Sequence, residues 1–474
     1  MTGLFVRDLL AVEGATGLRL DAVLDVPVTR VCTDSRALEV GDVFVALKGE
    51  RFDAHAFVPD AIARGAVLAV VRKAWLRRNG RAAAGLPLLV VDDTLTAYGA
   101  IARIHRGRFP IPILLITGSN GKTSTKELVA AVLETKYRVL RTEGNYNNLV
   151  GLPATLLRLE QAHEVAVVEA GTNQPGDIPA LCAIAQHTHA VITNIGRAHI
   201  ERLLSREGIA AEKGVVYRTL PGDGTAIVNA DEPLVRRQVP RGRRRILFGH
   251  AKDADVRITD VALDADGRTT VRLEAPAFSA RAVTLRLRVH GAHSAMNAAL
   301  AFATGCAFGC QVTKMKSALE AYEGVEGRMH VSTVAGVTVI DDTYNANPDS
   351  MRAAIAMLAG MKVSGRKIVV LGDMLELGPA AAAEHHDIGT VLADAGIPYV
   401  LTVGRLAREI TRAAQAGHGI VHAEHYSDKS IVCAALDALL DEGDAVLVKG
   451  SRGARMEEVT QFLLARGNDT EAMA

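Results

Sequence analysis

No charge of one sign dominates this sequence: 54 lysines and arginines stand against 53 aspartates and glutamates. That balance excludes the strongly basic footprint of a nucleic-acid binder and leaves a small molecule as the expected partner. Paired cysteines are missing as well. The five present, Cys32, Cys182, Cys306, Cys310 and Cys433, are odd in number and lack C-x-x-C spacing, which supports neither a zinc site nor a disulfide framework. They read as reduced and mostly packing. No window approaches the ~20 apolar residues that cross a bilayer. The N-terminal "MTGLFVRDLLAVEG" carries an acidic residue where a signal peptide has its apolar stretch. Low-complexity tracts and repeats of fixed period are absent too. A soluble, cytoplasmic chain is expected, without a transmembrane segment and with a monomer favoured.

What is present is length and a recurring pattern. At 474 residues the chain exceeds one core, and roughly 150 residues per domain gives about three. The first part mixes short strands and helices, as in "GDVFVAL" and "AHAFVPDAIARGAVLAVV", where a helix ends at Gly65 before a buried strand. Pro110 and Pro112 then interrupt helix geometry, which puts a boundary near Arg108. Beyond it, "ILLITG", "VAVVEAG", "AVITNIG" and "TAIVNAD" alternate with helical stretches and end in polar residues, the pattern of a mostly parallel sheet with its chemistry past the carboxyl edge. Between Arg245 and Val289 the alternating run "VRITDVALDADGRTTVRLEA" predicts an antiparallel appendage, with Asp266-Gly267 as the hairpin turn. From Val331 onward, "VTVIDD", "KIVVLGD", "YVLTVG" and "AVLVKG" recur between helices, predicting a second doubly wound unit. The expected architecture is α/β in three domains, 1–108, 109–330 and 331–474, the central one P-loop-type with the appendage and the last Rossmann-like. The arginines Arg241, Arg243, Arg244 and Arg245 read as a solvated loop.

The most informative stretch is "ITGSNGKTSTKE", residues 116–127. It resembles a phosphate-binding loop cut short, because the usual pattern puts four residues between its first glycine and Gly-Lys-Ser/Thr, and Ile116 occupies that glycine's place. A helix start after a buried strand offers backbone N–H groups and a positive dipole end to a polyphosphate. Gly118 and Gly121 permit close backbone approach, Lys122 reaches outer phosphates, and Thr123 offers a hydroxyl to Mg²⁺. A glycine turn beside a solvent lysine is the alternative. Glu169 ends a buried strand, where an unpaired carboxylate is costly. A magnesium ion shared with Thr123 and the β- and γ-phosphates would satisfy it, as would a cap on the strand end. His199 follows another strand, and a lone histidine is more often structural.

Taken together, "TGSNGKTSTKE", "GNYNNLVGLPATLLRL", "VVEAGTNQPGDI", "ITNIGRAHIE", "DDTYNANPDSM" and "VLVKGSR" resemble, in order and spacing, the Mur ligase family. These are ATP-dependent amide-forming ligases of bacterial peptidoglycan synthesis, and the shortened loop is their ATP loop. "CTDSRALEVGDVFVALKGERFDAHAF" is most similar to the branch that adds D-alanyl-D-alanine to UDP-N-acetylmuramoyl-tripeptide, and "NANPDS" lacks the arginine of the Asp-Asn-Pro-Arg motif in the amino-acid-adding branch.

The resemblance implies ATP contacts from Gly118, Ser119, Asn120, Gly121, Lys122, Thr123 and Ser124. It makes Glu169 the carboxylate on the first magnesium, and His199 with Lys213 the holders of a second. Thr123 thus joins Glu169, His199 and Lys213 in the implied metal set, and Lys122, Glu169, His199 and Lys213 are the implied catalytic residues. Lys213 falls where the family carries a lysine carbamylated by CO₂, a reaction that needs the neutral amine. Asn297 matches the second asparagine of the adenine motif, while Ser294 stands where the first is expected. Arg328 matches an arginine facing phosphate and Asp342 the acid on the ribose. Thr33, Ser35 and Arg36 resemble the uridine-diphosphate segment. Asn145, Asn147 and Thr172 resemble the segments facing the muramoyl peptide, and Lys449 and Arg452 offer charge to the carboxylate of D-alanyl-D-alanine. Two other readings stay open: a folate-polyglutamylating ligase, which typically has Gly-Lys-Gly in the loop, and an ATP-hydrolysing protein that makes no amide.

Overall fold

The apolar runs become buried strands in three sheets. The computed structural model describes residues 3–49, 52–196 and 200–471. Its first sheet has the order Thr16–Leu18, Leu88–Val91, Leu68–Arg72, Val43–Val45, Val31–Cys32, all parallel except the antiparallel Thr16–Leu18. The helix Thr94–Arg106 follows, capped where Asp93 accepts from the Thr96 N–H at 2.9 Å. Its buried face, Tyr98, Ile101 and Ala102, belongs to one continuous core with Val45 and Val70 of the first sheet and Ile113 and Leu115 of the second. Arg106, at the end of that helix, is buried and has no carboxylate partner among the described residues. Instead it donates to the carbonyls of Ala185, Phe109, Ile111 and Gln186, which satisfies a guanidinium that burial would otherwise penalise.

The central sheet has nine strands, in the order Val283–His290, Arg268–Glu274, Val256–Leu263, Arg244–Gly249, Thr225–Asn229, His189–Ile192, Ile113–Thr117, Val165–Glu169, Val139–Arg141. Residues 113–117 and 165–169 are buried throughout, as strands covered on both faces must be. The antiparallel part is smaller than the alternation predicts. Arg244–Gly249 runs parallel to Thr225–Asn229, and Val256 enters parallel to Phe248; only the later strands pair antiparallel. The reason is burial, since Ile246, Leu247 and Phe248 are covered on both faces whereas the outer half of Val256–Leu263 is largely open. The hairpin turn falls at Gly267, with φ of +80°.

The third sheet orders six strands as His330–Val334, Val337–Asp342, Ala445–Lys449, Lys367–Leu371, Tyr399–Val403, His422–Tyr426, parallel apart from the first. The helix Pro348–Gly360 buries Met351, Ile355 and Leu358 on one face, and Asn347 with Ser350 forms its capping box. This sheet has separate cores on its two faces. Among the described residues no helix is long and apolar enough to cross a membrane, and all five cysteines are unpaired.

Candidate active site

A cleft of about 560 Å³ opens between the carboxyl edge of the central sheet and the third domain. The loop after Ile113–Thr117 forms one wall. Gly118 has φ of +148°, and a Cβ there would stand 1.8 Å from Thr193 Oγ1, so the chain can pass only as glycine. The neighbouring strand end pins the loop: Ser119 N–H donates to Asn194 O at 3.1 Å, Asn120 N–H to Asn194 Oδ1 at 3.0 Å, and Thr193 Oγ1 to Asn120 O at 2.7 Å. Gly121, left-handed at φ of +76°, opens the helix Lys122–Glu134. The helix begins here because the strand's burial ends at Thr117 and the glycine resets the backbone.

Lys122 curls over its own loop and donates to Gly118 O at 2.9 Å. Desolvation lowers its pKa; the Glu169 carboxylate opposes this and the Arg328 charge adds to it. Glu169, 1 % exposed, is capped on each oxygen. Thr123 Oγ1 donates to Oε2 at 3.1 Å, Asn147 Nδ2 donates to Oε1 at 2.7 Å, and the Glu169 N–H donates to Thr142 Oγ1 at 3.0 Å. The strand end is therefore capped by a hydroxyl and an amide, and Glu169 still lines the cleft beside Thr123. Arg328 Nη2 reaches Thr123 Oγ1 at 3.1 Å from the entry to the third domain.

The cleft gathers most of the expected residues. Ser119, Asn120, Gly121, Lys122, Thr123, Ser124, Asn145, Asn147, Glu169, Thr172, Asn297, Arg328, Asp342, Lys449 and Arg452 all line it. Asn297 Oδ1 accepts from Thr125 Oγ1 at 3.3 Å. Ser294 does not line it; buried in the first turn of its helix, it donates back to His290 O, at the end of the preceding strand, at 2.8 Å. Lys449 is already engaged. Its Nζ lies 2.5 Å from Asp342 Oδ2 and 2.9 Å from Asn345 O, so it neutralises Asp342 before meeting any ligand. Arg452 is exposed at the rim.

Other residues stand apart. Lys213 ends the helix Arg206–Lys213, which Ser205 caps, and is 1 % exposed. Burial, and after it the charge of Lys122, push its pKa well below the ordinary lysine value, with Glu212 opposing. His199 lies outside the described residues. Thr33, Ser35 and Arg36 sit on the first domain, away from the cleft lining. Arg36 is exposed and bound to Asp34 at 2.7 Å, which holds the Asp34 carboxyl down at about 2.

Sequence reasoning passed over Asn347, Tyr344 and Lys126. Asn347 Nδ2 donates to Asn120 Oδ1 at 2.6 Å, joining the third domain to the loop. Lys126, fully buried, donates to Thr142 O at 2.5 Å and supports the segment bearing Asn147. Nothing in the helical spacing separates it from a surface lysine.

Among the described residues no group of three or more His, Cys, Asp or Glu side chains gathers. A metal beside Glu169 would thus draw oxygens from its ligands as well as from the protein. Glu169 and the Thr123 hydroxyl are hard oxygen donors that suit Mg²⁺, which takes one or two carboxylates and completes its shell with phosphate and water.

A shortened phosphate loop on one α/β domain, faced by an arginine at the junction with the next domain and by an acid of that domain, defines a nucleotide-using protein whose site lies between domains. Comparison with known proteins narrows that class. The Mur ligase family catalytic domain matches residues 27–106, the Mur ligase middle domain 116–305, and the Mur ligase glutamate ligase domain 327–452. The chain is 36 % identical over 437 residues to the UDP-N-acetylmuramoyl-tripeptide--D-alanyl-D-alanine ligase of Bacillus subtilis, covering 92 % of this chain and 93 % of that one. It is 37 % identical to the Escherichia coli protein of the same name, covering 94 % and 95 %. A crystal structure of MurF from Acinetobacter baumannii superposes with a TM-score of 0.87 at 32 % identity, covering 97 % and 98 %. MurF from Thermotoga maritima, solved with ADP, gives 0.82 at 29 %, covering 94 % and 99 %. The chain belongs to the Mur ligase family.

Proposed function

We propose that this chain is the ATP-dependent ligase that joins D-alanyl-D-alanine to UDP-N-acetylmuramoyl-tripeptide, releasing ADP and phosphate and yielding the pentapeptide precursor of peptidoglycan. The observation that carries the reading is the convergence, in one cleft, of the loop residues Ser119 to Ser124 with Arg328 at the junction of the second and third domains, Asp342 of the third, and Asn145, Asn147 and Thr172 of the second. Full-length likeness to D-alanyl-D-alanine ligases supports the choice of acceptor.

A carboxylate cannot acylate an amine directly, because oxide would have to leave. Phosphorylation of the tripeptide carboxylate by ATP gives an acyl phosphate; the amine then attacks its carbonyl, and phosphate departs with the former carboxylate oxygen. Two anions must meet for the first step, so the chain's work is positioning and charge. In this reading the loop N–H groups and Lys122 take the β- and γ-phosphates, with Arg328 facing them. Lys122, now turned onto Gly118 O at 2.9 Å, swings to phosphate when nucleotide enters. Asp342, held by Lys449, takes the ribose hydroxyls, and Asn297 the adenine edge. Magnesium, read as resting on Glu169 and Thr123, would supply positive charge between the anions. A second ion is assigned to His199 and Lys213. Burial favours the neutral amine of Lys213, the form that reacts with CO₂ to give an anionic carbamate oxygen. The peptide arm is assigned to Asn145, Asn147 and Thr172, and the uridine diphosphate to Thr33, Ser35 and Arg36, where it competes with Asp34 for the guanidinium. Arg452 at the rim is the cation left for the dipeptide carboxylate.

The test is to incubate the protein with ATP, Mg²⁺, UDP-N-acetylmuramoyl-tripeptide and D-alanyl-D-alanine and read masses. The pentapeptide is expected. Phosphate release that ignores the dipeptide, or a product formed with diaminopimelate in its place, would contradict the assignment.

A further inference from the structure

Arg328 stands at the junction of the second and third domains with little to hold it. Among the described residues its one side-chain hydrogen bond is Nη2 to Thr123 Oγ1, at 3.1 Å. Its Nε is buried without a partner there. A long side chain fixed at a single point samples many orientations, yet phosphate recognition by a guanidinium depends on the direction of its planar fork. What fixes the plane is an aromatic face. The Tyr344 ring centroid lies 3.7 Å from Arg328 Cζ, well inside cation–π range, and Arg452 Cζ lies over the same ring at 5.8 Å.

The backbone builds this stack. The Tyr344 N–H donates to Gly327 O at 3.0 Å, so the residue before Arg328 is strapped to the residue bearing the ring. Gly327 has φ of +69°, and a Cβ there would lie 3.5 Å from Tyr344 Cβ. Arg328 N–H closes the turn onto Val325 O at 3.1 Å. Ring and guanidinium thus ride on one tight unit, aimed at Thr123.

We infer that Tyr344 is a positioning residue for the nucleotide, its ring face holding the Arg328 guanidinium in the plane from which it meets the phosphates across the cleft. The inference rests on the reading of Arg328 as a phosphate contact. The ring, and not the phenolic hydroxyl, is the working part.

The test uses the full chain, with the affinity for ATP and Mg²⁺ measured by calorimetry in the absence of the other substrates, and with kcat and KM for each substrate. Unfolding midpoints verify that each variant is folded. Tyr344→Leu is expected to weaken ATP binding roughly two- to thirty-fold, the span of a cation–π contact, and to raise KM for ATP in step, with KM for UDP-N-acetylmuramoyl-tripeptide unchanged. Tyr344→Phe keeps wild-type affinity. Arg328→Met weakens binding by itself, and adding Tyr344→Leu to it costs nothing further. If Arg328→Met weakens binding while Tyr344→Leu does not, or if the two effects add, the positioning role is wrong and the phosphate contact stands. Loss in Tyr344→Phe equal to that in Tyr344→Leu would assign the effect to the hydroxyl and overturn the stack. If Arg328→Met leaves ATP affinity intact, the reading of Arg328 itself falls, and this inference with it.

Discussion

Lys213 offers a prediction whose size follows from where it sits. It is 1 % exposed, and burial with the Lys122 charge lowers its pKa well below the ordinary lysine value of 10.5. Between the folded pKa and 10.5 the unfolded chain carries a proton on this amine that the folded chain does not. The unfolded state therefore binds more protons, and stability rises with pH across that window and is lost as pH falls through it. Below the folded pKa both states are protonated and the loss stops. Lys213→Met removes the titrating group while keeping an unbranched buried side chain. The difference between wild type and variant cancels every other titration, leaving a slope of up to about 1.4 kcal/mol per pH unit. As pH rises toward 10.5, wild type should gain on the variant, the slope easing as the unfolded lysine itself begins to titrate. Urea unfolding in CO₂-free buffers at four pH values measures this. Two stability curves that run parallel would show that the folded amine keeps its proton, and would remove the basis for its reaction with CO₂. Added bicarbonate should raise the stability of wild type alone.

Three further substitutions test the loop and its supports. Gly118→Ala forces a Cβ to within 1.8 Å of Thr193 Oγ1 at a φ of +148°; strain and the lost Thr193 hydroxyl bond should cost about 2–4 kcal/mol in denaturant unfolding. Adding Thr193→Ala should recover only part, since Thr193 Cβ and N remain 3.0 Å away. Lys122→Met should lower kcat roughly 10²- to 10³-fold without loss of stability, because it removes a desolvated ammonium. Lys449→Met strands the buried Asp342 and should cost about 3–5 kcal/mol, with Asp342→Asn on the same chain restoring most of it; equal instability in the double variant would contradict the pairing.

Much of this was legible because local chemistry and global fold agree. The helix Lys122–Glu134 begins where the second glycine permits, and the strand Val165–Glu169 shows its burial as an unbroken apolar run. Arg244–Gly249 misled because its flanking arginines and following alternation resemble a hairpin arm, whereas its burial on both faces belongs to the parallel sheet. At the site, motifs pointed to residues that the structure gathers in one cleft but not to what each is tied to. That Lys449 holds Asp342, that Asn147 holds Glu169, and that Ser294 bonds back to the end of the preceding strand depends on side-chain directions set by contacts 4 to 107 residues apart. Asn347 caps the helix Pro348–Gly360; its contact with Asn120, 227 residues away, has no local signature.

The central claim is that the cleft activates the tripeptide carboxylate by making it the acyl half of a mixed anhydride with phosphate. Tripeptide labelled with ¹⁸O in both oxygens of that carboxylate tests it directly, by mass analysis of the phosphate released as pentapeptide forms. The account predicts one ¹⁸O in each phosphate and the other retained in the new amide. Unlabelled phosphate accompanying pentapeptide formation would contradict it.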